Sequence, residues 1–136
     1  MNGASRRSEL ASHRSELGRV RGLGSAKEGV RHWWQQRLTA LALIPLLVWF
    51  VAALVAHTGA DHANVTLWLG SPVAFALMVL LVAAGSWHMA LGLQVVIEDY
   101  VQGEALKLGL VILVQFAAAA LALAAVTALL VIAFGG

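Results

Sequence analysis

The chain has 136 residues, of which 60% are apolar and 12% charged, with no cysteine and a formal net charge of +2. So apolar a composition reads as an integral membrane protein rather than a soluble domain. The missing cysteine excludes disulfides, thiolate metal centres, iron–sulfur ligation and thiol nucleophiles within this chain.

The cations are concentrated at one end: Arg6, Arg7, Arg14, Arg19, Arg21, Lys27, Arg31 and Arg37 precede the first apolar run, and Lys107 is the one later cation. Basic residues beside a first span are an orientation signal, so the +2 charge points to a membrane lipid surface and no nucleic acid is expected as a partner. Residues 1–30 read as a basic cytoplasmic N-terminal arm. Within it, Ser5–Leu10 is echoed at Ser12–Leu17, and a glycine-rich piece follows from Gly18 to Gly29. One leucine per heptad favours a solvated arm over a surface helix, and two copies do not make a repeat protein. No apolar core of a secretory signal is present, Glu9, Glu16 and Glu28 argue against a transit peptide, and glycines that follow no strand argue against a phosphate loop.

Residues 31–136 read as a three-helix transmembrane anchor domain. Arg31, His32, Trp33, Trp34, Gln35, Gln36 and Arg37 mix aromatic and cationic side chains as an interfacial anchor does. The first span, about 38–56, is uncharged and long enough at ~28 Å to cross a hydrocarbon core. Pro45 inside it predicts a kink. His57 to Ser71 reads as a solvated outer loop without Lys or Arg. His57, Asp61 and His62 invite a metal site there, but no fourth ligand accompanies them.

Ser71-Pro72 predicts the start of the second span, about 72–97, with a capping hydroxyl followed by proline at the first helical position. Residues 98–107 form a polar connection in which Gly103 is placed to end the helix. The third span covers about 108–134; Ala120, Ala124 and Ala128 permit close contact, though alanine is too widespread to single out a face. The expected fold is thus all-α and integral to the membrane, with three transmembrane helices, the N-terminus cytoplasmic and the C-terminus periplasmic. On that plan Arg31, His32, Arg37, Asp99, Tyr100 and Lys107 share the cytoplasmic leaflet.

Ser86 to Tyr100 carries the most chemistry. His88 and Asp99 lie ~20° apart around one helix and ~16 Å apart along it. Gly85 and Gly92 flank His88 on that face, leaving room for a planar cofactor or for another helix. An intramembrane histidine is a functional candidate by default. Two readings stand: an interhelical hydrogen bond, or axial ligation of a haem iron by neutral imidazole, with Arg37 as a propionate partner. Without a second histidine at that depth, the opposite ligand must come from another chain. Asp99 and Tyr100 read either as an interfacial anchor or as a site for the polar head of a redox carrier, the phenol donating to a carbonyl.

His88, Gly92, Asp99 and Tyr100 in the pattern His-x3-Gly-x6-Asp-Tyr, Gly29-Val30 followed by Arg37, and the three-span plan together resemble the hydrophobic membrane-anchor subunits of succinate dehydrogenase (succinate:quinone oxidoreductase, respiratory Complex II). Gly22 to Gly29 followed by His32-Trp33-Trp34 looks particularly like α-proteobacterial members. The resemblance covers residues 18 to 136. It implies His88 as axial ligand of haem b, Arg37 as a propionate partner, Gly92 beside the cofactor, and Tyr100 and Asp99 at the ubiquinone site, with His32 and Arg31 less secure. It implies a bacterial cytoplasmic (inner) membrane location. The implied partners are a cytochrome b556 subunit that supplies the second histidine, an iron–sulfur subunit and a flavoprotein subunit. Alone the chain is then no enzyme but one part of a quinone oxidoreductase complex. The alternatives are the anchor of a fumarate reductase, or a cofactor-free structural or assembly membrane protein.

Overall fold

The computed structural model describes residues 25–135, and the echo at 5–17 and most of the basic arm lie outside them. Four helices follow in order: α1 (Ser25–Ala56), α2 (His62–Leu69), α3 (Pro72–Tyr100) and α4 (Glu104–Phe134). No strand occurs among the described residues. Three helices are long and apolar enough to cross a membrane: Gly29–Ala56, Pro72–Tyr100 and Glu104–Phe134. The all-α, three-span expectation is met. The chain divides into two units, Met1–Trp34 and Gln35–Gly136.

Each span is longer than its apolar run. Helix α1 begins at Ser25, inside the stretch expected as an arm, and α3 runs on through Glu98 and Asp99 to Tyr100. Backbone hydrogen bonding inside a helix does not stop where the side chains become polar, so polar turns extend a helix past the hydrocarbon boundary. Helix α1 also continues through Pro45, as spanning helices can when neighbours re-satisfy the freed carbonyl.

The connection between the first two spans contains a helix that hydropathy alone does not reveal. The Asp61 carboxylate accepts from the Asn64 backbone N–H at 2.9 Å and starts α2. Trp68 then stacks on His57, with centroids 4.4 Å apart, and lies 6.1 Å from Trp49. Gly59, with φ +81°, makes the turn after α1, where an L side chain would be strained. Ser71 does precede a proline-led helix, but its hydroxyl donates back to the Trp68 carbonyl at 2.7 Å and makes no side-chain cap. Gly103 is the N-cap residue of α4; α3 ends at Tyr100 with Val101 as its C-cap, whose N–H reaches the Ile97 carbonyl.

Helices α3 and α4 pack against each other, and α2 touches both. The buried set is small: Leu69, Ala74, Ala90, Leu91, Ala118 and Leu129 among the described residues. Ala118 and Leu129, eleven residues apart, share a helical face, and this face is the buried one in α4. Ala120, Ala124 and Ala128 are exposed and line an open groove with Leu123 and Thr127, so the small-residue face is not used inside this chain. At the far end, Phe75 and Phe134 meet edge to face at 5.3 Å.

Candidate functional site

The site rests on how α1 from Gln35 onward faces α3. A Cβ on Gly92 would lie 3.6 Å from Gln36 Nε2, and one on Gly85 would lie 3.9 Å from Leu43 Cδ2. Between them, Thr39 Oγ1 is 3.0 Å from His88 Nδ1. Partners advance along α1 as they recede along α3, which is an antiparallel seam with contacts about one turn apart. Both glycines face α1, so the room they leave is occupied from this side by Gln36 and Leu43 at ordinary contact distance.

His88 is half-buried, and its Nδ1 is held by Thr39. Thr39 is itself fixed, because its hydroxyl lies 2.8 Å from the Gln35 carbonyl and 3.1 Å from that of Gln36. The interhelical hydrogen bond expected as one reading of His88 is therefore present. It uses one ring nitrogen, and an imidazole has two, so a single axial bond to iron is chemically compatible with it. One imidazole nitrogen is a donor of the kind that could hold a haem iron, so the residues present are compatible with such a group.

Neither Thr39 nor Gln36 stands out in the sequence. A usable signal existed: reflecting His88 through the centre of the connection from His57 to Ser71 lands within one residue of Thr39. Arg37 is exposed and lies about 160° around α1 from Thr39, on the other side of the helix. Gln36 carries a buried Oε1 without a hydrogen-bond partner among the described residues.

Tyr100 closes α3 at 82% exposure, with Asp99 exposed beside it. Around α3, Tyr100 stands about 120° from His88. Gln94 stands about 120° the other way and faces α4, where Gln115 Nε2 donates to its Oε1 at 3.4 Å. Gln94 Nε2 also donates to Glu98 Oε1 at 2.8 Å. Tyr100 thus lies off both the sector that meets Thr39 at His88 and the sector that meets α4 at Gln94. Lys107 pairs with Glu104 at 3.5 Å within the first turn of α4. In the first unit Arg31 is exposed, His32 is half-buried with no hydrogen-bond partner for its Nε2 among the described residues, and Trp33 meets Trp34 edge to face.

In the connection between the first two spans, His57 Nδ1 donates to the Ala53 carbonyl at 2.8 Å and Asp61 is spent on capping. No group of three metal-ligating side chains occurs among the described residues.

Comparison with known proteins identifies the family. Residues 11–134 match the family described as succinate dehydrogenase/fumarate reductase transmembrane subunit. The chain is 35% identical to the succinate dehydrogenase hydrophobic membrane anchor subunit of Rickettsia bellii, over 75% of this chain and 82% of the relative. The corresponding protein of Paracoccus denitrificans is 33% identical over 76% of this chain and 80% of its own. The succinate dehydrogenase membrane anchor subunit of Reclinomonas americana is 30% identical over 65% of this chain and 77% of its own. With the family model spanning nearly all of the sequence, the chain belongs to the succinate dehydrogenase/fumarate reductase transmembrane subunit family, among its hydrophobic membrane anchors.

Proposed function

We propose that this chain anchors a succinate dehydrogenase to the bacterial cytoplasmic membrane and forms, with a second, cytochrome b subunit, the haem b pocket and the ubiquinone-reduction site. The observation that carries this reading is His88, a half-buried imidazole inside a spanning helix with one nitrogen held by Thr39 and chemistry left for the other. His88 would hold the iron of that haem through the ring nitrogen that Thr39 does not occupy. Arg37, exposed on the face of α1 away from Thr39, serves a propionate only of a group shared with the partner chain. Gly92 keeps the helix surface beside His88 low. Haem b, when bound, supplies a one-electron relay within the bundle.

At the other end of α3, Tyr100 donates its phenolic hydrogen to a quinone carbonyl, and Asp99 orients a proton beside it. The exposure of Tyr100, away from the sectors of α3 that carry His88 and Gln94, supports a site completed by another subunit. Succinate oxidation belongs to the flavoprotein and iron–sulfur partners, since this chain has no cysteine to hold a cluster. The basic N-terminal flank orients the N-terminus and the 101–103 connection to the cytoplasm.

Replacing His88 with alanine in the complex should abolish or displace the haem b band in the reduced optical spectrum; an unchanged band would overturn the ligand assignment. A second reading, a cofactor-free anchor, is favoured by the Thr39 bond and by the glycines packed on α1. It predicts a purified complex without haem b absorbance and insensitive in spectrum to His88.

A further inference from the structure

We propose that Thr39 sets the tautomer of His88, holding the proton on Nδ1 and leaving Nε2 as the nitrogen that binds iron. The argument begins with the single proton of the Thr39 hydroxyl. Three polar atoms surround Oγ1: the Gln35 carbonyl at 2.8 Å, the Gln36 carbonyl at 3.1 Å and His88 Nδ1 at 3.0 Å. The two carbonyl oxygens can only accept. Turning the hydroxyl hydrogen to His88 would set the lone pairs of Oγ1 against both carbonyls, so it points back into its own helix, the usual bond of an intrahelical threonine. Oγ1 then has a lone pair to offer, and the atom opposite it must be an N–H.

Neutral imidazole has one N–H, and the bond made by one nitrogen decides the state of the other. With Nδ1 protonated, the lone pair is on Nε2. Thr39 is thus a positioning residue: it fixes ring orientation as well as tautomer, and its acceptance of the Nδ1 proton raises the electron donation of Nε2. Loss of such an outer partner typically weakens a metal site by about 10–100-fold.

The tautomer does not depend on the haem reading, whereas the role of Nε2 rests on it, and the test separates the two. The full chain carrying 15N-histidine, reconstituted in lipid nanodiscs without haem, gives a ring signal for His88 that is identified by its loss in His88→Gln. Protonated Nδ1 and unprotonated Nε2 are expected in the native chain and in Thr39→Ser, and loss of that preference in Thr39→Val. An Nε2–H signal in the native chain, or an unaltered Nδ1–H signal in Thr39→Val, overturns the proposal even if His88→Ala removes the haem. In the intact complex, Thr39→Val should weaken haem retention about 10–100-fold and raise its midpoint potential, with Thr39→Ser close to native. A Thr39→Val haem unchanged in both properties overturns the role of Nε2 while leaving the tautomer in place.

Discussion

At the scale of single residues, His88 and Tyr100 belong to one helix but to different surroundings, and the difference follows from angle and depth. Twelve residues separate them, ~18 Å of rise and about 120° of rotation. His88 meets Thr39 inside the seam with α1, whereas Tyr100 is 82% exposed and not covered by the described residues. A phenol so placed contributes little to the fold. Tyr100→Phe should therefore leave assembly and succinate oxidation with an artificial acceptor unchanged, while raising the apparent KM for ubiquinone several-fold and lowering quinone reductase activity. Steady-state kinetics with the two acceptors on membranes measure this, and full quinone activity would remove the phenol from the site. His88 is legible in the sequence because an ionisable group in an apolar run is rare and costly to place, and Tyr100 because an aromatic ring with a polar tip is favoured where a span meets water. Thr39 was not, because a hydroxyl bonded to its own helix is tolerated at any depth in a span.

Among the helices, glycine separates packing from function. A Cβ at Gly92 meets Gln36 at ordinary contact distance, so Gly92→Ala should be tolerated by the fold and even gain helix propensity of up to ~1 kcal/mol. If haem content nonetheless falls in Gly92→Ala, the approach being blocked comes from outside this chain. Gly70 is the opposite case. Its added Cβ would stand 3.1 Å from the Ala133 carbonyl, a backbone atom that cannot swing aside. Gly70→Ala should cost about 1–3 kcal/mol, the usual range for overpacking, read as a lower midpoint of thermal inactivation for the assembled complex. The caps show what one-dimensional reading misses: Ser71-Pro72 marks a helix start correctly, but whether the serine hydroxyl turns forward or back depends on the preceding turn of α2. Helix α2 itself was hidden because Leu67, Trp68 and Leu69 are too few to form a periodic signal; Asp61 three residues before Asn64 was the available cue.

For the whole molecule, the small buried set means that most of the apolar surface must be covered by lipid or by other subunits. None of the most apolar eighteen residues of the first span is buried within the chain. Topology is directly testable because the chain contains no cysteine, so one introduced thiol reports without background. Gln102→Cys between α3 and α4 should react with an impermeant thiol reagent only from the cytoplasmic side, and Ala60→Cys after α1 only from the periplasmic side; the reverse pattern would invert the proposed orientation. The three spans, their polar ends and the rarity of His88 can be read from residue order alone, because water and hydrocarbon sort side chains by transfer free energy without reference to any neighbour. Only the tertiary structure decided that Thr39 is what His88 touches, that Gly85 and Gly92 face α1, and that the alanine face of α4 stays open. Those are matters of which helix faces which, and in an apolar chain each face is equally at home against lipid or protein until packing chooses.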